Sequence, residues 1–311
     1  MHSTDKIDVK KALNEKGGFQ VWWRLLRPHT LTASFVPVFI GSMLAFSEDS
    51  INIGLFLAML IASMLIQSAT NMFNEYYDYV RGLDTEDSVG IGGTIVRDGI
   101  APKTILRLAL AFFGVSILLG IYICVESSWW IAAIGLISML FGYLYTGGPV
   151  PIAYTPFGEA FSGFFMGTVI IGISYFIQTG ELTVDAVLVS VPVALFIGGI
   201  MMSNNIRDLE GDKENGRKTI AILLGREKAI NFLAGMFAAA YIITATLIAA
   251  GILPLWSFIT FLSIPKAADV IRKFRTGETP LEMMPAMAAT GKSNTIYGIL
   301  LGLSLLISRF I

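Results

Sequence analysis

The chain has 311 residues, of which 54% are hydrophobic and only 14% are charged. A soluble domain usually carries about 25% charged residues, so this composition predicts a membrane protein. The net charge of −1 provides no basic surface for nucleic acid. The single cysteine, Cys124, excludes a disulfide framework within the chain, and the two histidines, His2 and His29, argue against a histidine-ligated zinc site and a Ser-His-Asp triad.

Residues 1–20 are polar and of mixed charge, unlike the apolar region of a signal peptide. They are predicted to form a retained cytoplasmic tail, and residues 21–311 a transmembrane domain. A helix needs about 20 apolar residues to cross the hydrocarbon core. Nine segments approach this requirement: 30–47, 52–77, 104–124, 128–146, 157–178, 185–207, 229–250, 254–270 and 294–310. The sequence therefore predicts an all-α protein embedded in the lipid bilayer.

The distribution of basic residues predicts the orientation of these segments, because lysine and arginine concentrate in cytoplasmic loops. With nine spans and a cytoplasmic N-terminus, every lysine and arginine except Arg309 falls in or beside the tail and the loops after spans 2, 4, 6 and 8. The loops on the opposite side contain acidic residues but no lysine or arginine. We therefore predict a multi-pass protein of the cell membrane, with its N-terminus and its active site on the cytoplasmic side.

Two clusters of acidic and amide residues close spans 2 and 6 on that side. The first consists of Asn74, Asp78 and Asp84, and the second of Asn204, Asp208 and Asp212. Residues four apart share one face of a helix, so each cluster presents several oxygen ligands together. Such ligands suit magnesium, which bridges carboxylates to phosphates. One cluster alone is also explained by surface residues at a helix end, but two matched clusters favour a metal site.

Basic residues lie among these acids: Arg81, Arg97, Arg207, Lys213, Arg217 and Lys218. Carboxylates alone would repel a diphosphate. Metal ions together with arginine and lysine neutralise the charge that grows as a diphosphate leaves. The combination favours ionisation of a bound diphosphate ester. Anchoring at the cytoplasmic face explains any single basic residue equally well.

Two motifs carry a resemblance to a known family. N-E-Y-Y-D-Y-V-R-G-L-D, ending at Asp84, and N-N-I-R-D-L-E-G-D, ending at Asp212, resemble the aspartate-rich motifs of the UbiA superfamily of intramembrane prenyltransferases. Three further segments resemble the branch that prenylates 1,4-dihydroxy-2-naphthoate in menaquinone synthesis: Arg27–Val38, Tyr145–Pro151 and Gly216–Gly225. The first motif departs from the common pattern, since Glu75 replaces an aspartate and Asp84 follows Asp78 by six residues.

The resemblance implies a bundle of nine helices around a central cavity that opens to the cytoplasmic side. It implies two magnesium ions, one held by Asn74, Asp78 and Asp84 and the other by Asp208 and Asp212 with Asn204. The implied substrates are a polyprenyl diphosphate and 1,4-dihydroxy-2-naphthoate, joined with loss of diphosphate and carbon dioxide to give demethylmenaquinol. The residues expected to act in catalysis are Asp78, Asp208 and Tyr145, and those expected to bind substrate are Asn71, Arg81, Arg97, Arg207 and Lys218.

Three alternatives stay open at this point. The first is a prenyltransferase of the same superfamily with another acceptor, such as 4-hydroxybenzoate, homogentisate or haem. The second is a cation-coupled transporter, although transporters place such acids near the bilayer midplane. The third is a non-catalytic membrane scaffold, which would have no need of two matched acidic clusters. The polar stretch 278–292 is predicted as either a broken helix or a loop.

Overall fold

The computed structural model describes residues 9–12, 15–85, 89 and 93–310, and all regular secondary structure in these ranges is helical. The helices are α1 (Val9–Ala12), α2 (Phe19–Leu26), α3 (Thr32–Ser47), α4 (Ile53–Val80), α5 (Pro102–Glu126), α6 (Trp130–Leu144), α7 (Gly158–Thr179), α8 (Val184–Arg207), α9 (Leu209–Glu214), α10 (Ile220–Leu224), α11 (Arg226–Ala249), α12 (Ile264–Thr276) and α13 (Pro280–Ser308). Short 3₁₀ helices occupy Ile152–Tyr154 and Leu255–Ser263. The predicted tail, residues 1–20, lies partly outside the described ranges.

Five of the described helices are long and apolar enough to cross a membrane, namely α4, α5, α7, α8 and α11, and α3 and α6 are shorter apolar helices. Several begin at a polar cap. The side chain of Asn52 accepts a hydrogen bond from the Leu55 N–H at 3.2 Å, which satisfies one of the free donors at the start of α4. Large apolar side chains such as Leu118 and Leu140 face outward, as lipid-exposed helices require. The protein is therefore a multi-pass membrane protein.

The first seven predicted spans coincide with α3 to α8 and α11 to within three residues at either end. The eighth, 254–270, is not one regular helix. It begins as the 3₁₀ helix Leu255–Ser263 and continues as α12, whose last turn carries Lys273 and Arg275. The apolar pattern therefore located this element but did not distinguish the two helical geometries.

The largest difference from the predicted elements concerns α13. The sequence predicts a span over 294–310 and leaves 278–292 undecided, whereas the structure has one continuous helix over Pro280–Ser308. A capping box in which Thr279 and Glu282 bond each other's backbone starts this helix. Its polar first half is stabilised by tertiary packing, since its buried residues include Met283, Ala286, Met287 and Thr290.

Glycines bring α7 and α8 into close contact. The segment Gly163–Val169 within α7 forms a π-helical turn, a feature often found near functional sites. A Cβ at Gly163 would lie 2.6 Å from the carbonyl oxygen of Ala194, and one at Gly167 would lie 2.6 Å from the Ala194 Cα. Any side chain at these two positions would separate the helices. The glycines therefore fix the start of α7 against the half of α8 that leads to the second acidic motif.

Candidate active site

A cavity of about 770 Å³ contains both acidic motifs. Its lining includes the six residues Asn74, Asp78, Asp84, Asn204, Asp208 and Asp212. The cavity follows α4 from Asp78 back to Met59, a rise of about 28 Å at 1.5 Å per residue. Apolar side chains line this depth, among them Ile117, Ile121, Leu136, Met139, Phe165 and Ile173. One chamber thus combines a charged end with a long apolar extension.

Arg217 joins the two motifs. Its guanidinium group lies 2.9 Å from Asp78 Oδ1 and 3.0 Å from Asp212 Oδ1. The same group sits over the ring of Tyr154, at 4.9 Å from the ring centroid. Asp78 lies in the last turn of α4 and Asp212 belongs to α9, so one cation holds the two acidic clusters together across the cavity.

Arg207 is a second buried cation at this end of the cavity. It forms a bidentate ion pair with Asp208, in which Nε donates to Oδ1 at 2.6 Å and Nη2 donates to Oδ2. Its Nη1 faces the sulfur atoms of Met287 at 2.7 Å and Met284 at 3.5 Å. Because the methionines come from α13, this contact connects the second motif to the polar start of that helix.

The two asparagines of α4 contact the segment that precedes α3. Arg27 Nη1 donates to Asn74 Oδ1 at 3.0 Å. Asn71 Nδ2 donates to the Leu26 carbonyl oxygen at 3.2 Å and to Thr30 Oγ1 at 3.0 Å. Asn71 also lines the cavity, but its amide nitrogen is engaged in joining α4 to this segment. Arg27 therefore adds a third cation to the charged end.

The acidic residues at the charged end of the cavity lie close together and are poorly solvated. Burial raises the pKa of Asp84 to about 6, and the charge of Asp78 adds to the rise. Burial also raises the pKa of Asp212 to about 7, against the opposing effect of Arg217. Among the described residues, no three histidine, cysteine, aspartate or glutamate side chains are close enough to hold a metal ion together. Arginine groups pair with three of the acids, Asp78, Asp208 and Asp212.

Tyr145 lines the cavity beside the start of α7. A Cβ added at Gly158 would lie 2.9 Å from the Tyr145 hydroxyl. Only glycine at that position lets the hydroxyl approach the helix so closely. The phenol ring is thereby held in the cavity wall, next to the chamber in which the sequence predicts it to act.

The remaining predicted substrate-binding residues occupy different positions. Arg97 lines the cavity, and its guanidinium group bonds the Glu15 carboxylate at 2.8 and 3.0 Å. Arg81 donates to the carbonyl oxygens of Thr146 and Gly148, so it fixes the loop after α6. Lys218 is exposed. Neither Arg81 nor Lys218 is part of the described cavity lining, and the structure does not bring them into that chamber with the acidic motifs.

Residues 34–279 match the UbiA prenyltransferase family. The chain belongs to this family. The prediction made from the paired aspartate motifs is thereby confirmed, and the enzyme class of the chain is that of a prenyltransferase.

This UbiA-family chain is similar to one protein in its sequence and to two solved structures in its fold. It is 54% identical over 310 residues to a 1,4-dihydroxy-2-naphthoate octaprenyltransferase of Bacillus subtilis strain 168, covering 100% of both chains. Its fold is similar to that of a UbiA homologue from Aeropyrum pernix K1, with a TM-score of 0.68, 15% identity and coverage of 90% and 98% of the two chains. It is also similar to a UbiA homologue from Archaeoglobus fulgidus bound to DMAPP and Mg²⁺, with a TM-score of 0.60, 16% identity and coverage of 90% and 98%.

Glu75, the departure from the common motif of this family, has a structural partner. The side chain is buried, with 1% exposure, and its Oε1 accepts a hydrogen bond from the Ile95 backbone N–H at 3.0 Å. Ile95 precedes Arg97 by two residues in the loop between α4 and α5. Glu75 thus holds the loop that carries Arg97, and its carboxylate is not part of the described cavity lining.

Two cations at the charged end of the cavity, Arg217 and Arg27, are not among the binding residues predicted from the sequence. In the sequence Arg217 is only one of several basic residues among the acids, and no role is predicted for Arg27. Both lie in segments that carry the resemblance to the naphthoate branch, Arg27–Val38 and Gly216–Gly225. Their position within those segments is the signal that could have found them. The choice between Arg217 and its neighbour Lys218 needs three-dimensional contacts.

Proposed function

We propose that this enzyme transfers a polyprenyl group from a polyprenyl diphosphate to 1,4-dihydroxy-2-naphthoate, releasing carbon dioxide and diphosphate and giving demethylmenaquinol. The observation that carries the proposal is the single cavity in which both acidic motifs meet a long apolar extension. A prenyl chain matches the apolar part, and a diphosphate matches the charged end. The full-length similarity to a 1,4-dihydroxy-2-naphthoate octaprenyltransferase supports the choice of acceptor.

The donor set of the two motifs fits magnesium. Asn74, Asp78 and Asp84 would hold one ion, and Asp208 and Asp212 with Asn204 a second, because all six offer hard oxygen ligands to the same chamber. Burial, together with neighbouring carboxylate charges, raises the pKa values of Asp84 and Asp212, and a bound divalent cation would favour their charged forms. Magnesium, when bound, supplies positive charge that makes the diphosphate a better leaving group.

The protein's own cations complete the charge balance around the diphosphate. Arg27, Arg207 and Arg217 all line the charged end of the cavity. When the diphosphate binds, we expect these guanidinium groups to exchange carboxylate partners for phosphate oxygens, which arginine recognises through its fork of N–H groups. They would then stabilise the negative charge that develops as the allylic carbon–oxygen bond breaks.

The transfer step forms one carbon–carbon bond and breaks two bonds. The carbon–oxygen bond of the prenyl diphosphate breaks, and its electron pair leaves with the diphosphate. The ring carbon that bears the carboxylate bonds to the allylic cation, and the carboxylate then leaves as carbon dioxide, returning its electron pair to the ring. The apolar lining excludes water from the cation, and the ring of Tyr145 offers it a π-face.

Arg97 is the proposed partner of the acceptor's carboxylate, because it lines the cavity near the first motif. Its present partner, Glu15, belongs to the segment before α2. Exchange of that carboxylate for the substrate's would place the acceptor next to the diphosphate. Arg81, Asn71 and Lys218 are proposed to support binding less directly, since they join neighbouring segments or lie at the surface.

The proposed topology has nine membrane segments, with the N-terminus and the cavity entrance in the cytoplasm. The support is the concentration of basic residues in the tail and in the loops that carry the acidic motifs. In this orientation the prenyl tail stays within the lipid bilayer while its diphosphate reaches the cytoplasmic side.

Purified protein in lipid tests the proposed function. It is supplied with magnesium, a prenyl diphosphate and one of three acceptors: 1,4-dihydroxy-2-naphthoate, 4-hydroxybenzoate or homogentisate. We expect a prenylated, decarboxylated naphthoquinol and release of diphosphate only with the naphthoate. Product from another acceptor in preference to the naphthoate would contradict the assignment of acceptor while retaining the prenyltransferase activity.

A further inference from the structure

A buried carboxylate lies beside the cavity and plays no part in the proposed metal sites. Glu159, in the first turn of α7, is 4% exposed. Its Oε1 accepts a hydrogen bond from Asn205 Nδ2 at 2.8 Å, and its Oε2 has no hydrogen-bond partner among the described residues. Burying a carboxylate with one oxygen unpaired is costly. Such a group needs an explanation beyond packing.

The backbone around Glu159 is held tightly against α8. A Cβ at Gly198 would lie 3.0 Å from the Glu159 carbonyl oxygen. Four residues after Glu159, Gly163 packs on Ala194 with no room for a side chain. This close contact between the two helices fixes the backbone of Glu159 beside α8, the helix that carries its partner Asn205.

Asn205 lines the cavity, whereas Glu159 is not part of its described lining. An asparagine amide can present either its oxygen or its nitrogen to a site. Here the bond from Nδ2 to Glu159 fixes the nitrogen on the protein side. Oδ1 accepts no hydrogen bond from the described residues, so it is left as an acceptor beside the second motif, three residues before Asp208.

The proposed acceptor carries groups that match a fixed hydrogen-bond acceptor. Its two phenolic hydroxyls donate hydrogen bonds, and a hydroxyl that donates releases electron density into the ring, which makes the ring a better nucleophile. The carboxylate leaves from the carbon that is attacked, so no ring proton has to be removed. A neutral amide oxygen that accepts from a hydroxyl is therefore sufficient, and a base is not required.

We propose that Asn205, oriented by Glu159, accepts a hydrogen bond from a phenolic hydroxyl of the aromatic acceptor and so selects acceptors that carry it. Asn205 touches the substrate, and Glu159 is a positioning residue that acts through Asn205. This inference rests on the proposed function. It places this hydroxyl, as distinct from the carboxylate that Arg97 is proposed to bind, in the part of the cavity between the start of α7 and the end of α8.

The test uses full-length protein in lipid with magnesium and farnesyl diphosphate as the prenyl donor. Three variants are compared with the wild type: Asn205→Leu, Glu159→Gln and the control Ser203→Ala. Ser203 is a buried polar residue of the same helix that bonds Thr290 at 2.9 Å and is not part of the described cavity lining. For each protein, KM is measured for 1,4-dihydroxy-2-naphthoate and for farnesyl diphosphate. Inhibition constants are measured for 1-hydroxy-2-naphthoate and 4-hydroxy-2-naphthoate, which each lack one hydroxyl.

We expect the wild type to bind one of the two analogues at least about tenfold more weakly than the other, because a site that bonds a hydroxyl rejects the molecule without it. Asn205→Leu should raise KM for the naphthoate about tenfold and abolish the difference between the analogues, with KM for farnesyl diphosphate unchanged. Glu159→Gln should shift the same quantities in the same direction by a smaller factor. Ser203→Ala should resemble the wild type.

Three results would overturn the inference. If both site variants keep the wild-type KM for the naphthoate and the same discrimination, the pair does not recognise the acceptor, and the proposed function stands. If they instead weaken binding of the naphthoate and of farnesyl diphosphate equally, the pair has a structural role only. If the wild type itself forms no prenylated naphthoquinol, the proposed function fails and this inference fails with it.

Discussion

At the scale of single residues, the charged end of the cavity depends on arginine. Arg217 forms ion pairs with one acidic residue from each motif, and Arg207 forms a bidentate ion pair with Asp208. Partly buried ion pairs of this kind are costly to desolvate and contribute little net stability. We infer that their placement serves exchange with the phosphate oxygens of a substrate, because both guanidinium groups lie at the charged end of the cavity where the diphosphate is proposed to bind.

Arg217→Ala should lower kcat/KM for prenyl transfer by about 100-fold, the usual effect of removing one preorganised group that stabilises developing charge. Arg217→Lys should give an intermediate loss, because an ammonium group keeps the charge but cannot bond two acids with one planar fork. Steady-state kinetics with varied prenyl diphosphate measure both effects. Lys228→Ala is the matched control, since Lys228 is exposed and not part of the described cavity lining. An Arg217→Ala enzyme with wild-type kinetics would refute this role.

At the scale of elements, close contact between α7 and α8 positions the wall of the cavity. The π-helical turn Gly163–Val169 places Gly163 and Gly167 directly on Ala194. The turn follows Glu159, and the cavity lining includes five residues in or just before it: Phe161, Ser162, Phe165, Met166 and Val169. Separation of the two helices would therefore displace both the apolar wall and the side chains next to the second motif.

Gly163→Ala should destabilise the protein by about 2 kcal/mol, because the new methyl group would overlap the Ala194 carbonyl and force the helices apart. The midpoint of thermal unfolding in detergent should fall by several degrees. Gly235→Ala in α11 is the control, since a Cβ there has no neighbour within 4 Å among the described residues. That variant should be as stable as the wild type or slightly more stable. Equal stability of the two variants would show that the close contact is unimportant.

At the scale of the whole molecule, the cavity joins polar chemistry at the helix ends to an apolar space at membrane depth. In the proposed function, the bundle would keep the reactive carbocation away from water while the diphosphate and the carboxylate bind at the charged end of the cavity. The depth of the apolar part, about 28 Å along α4, is available to several isoprene units. Chain length should therefore depend on residues far from the acidic motifs.

Gly120→Phe tests this separation of roles. Gly120 lines the cavity on α5, and a Cβ there has no neighbour within 4 Å among the described residues, so the ring can enter the apolar space without a backbone clash. We expect kcat/KM for a long prenyl diphosphate to fall at least about tenfold more than for geranyl diphosphate. Gly114→Phe on the exposed side of α5 is the control. An equal effect on long and short donors would contradict the assignment of the apolar extension to the prenyl chain.

The elements that are predictable from the sequence are those whose structure depends on local composition. Apolar length alone locates α3 to α8 and α11, and the spacing of four residues relates Asn74 to Asp78 and Asn204 to Asp208 and Asp212. The start of α13 is not located by apolar length, because this stretch is polar and its helix is supported by the capping box at Thr279 and by burial of Met283, Ala286 and Met287. Arg217 is not singled out because its contact with Asp78 spans 139 residues of sequence. Spacing within a motif carries no information about such a contact.

Both acidic motifs are proposed to act on one diphosphate in one cavity. Prenyl transfer to 1,4-dihydroxy-2-naphthoate by wild type, Asp78→Asn and Asp208→Asn, each with magnesium and with EDTA, tests this directly. We expect EDTA to abolish product and each single substitution to lower kcat/KM by at least about 100-fold, with folding shown to be intact by thermal unfolding. Wild-type turnover by either variant, or turnover that persists in EDTA, would contradict it.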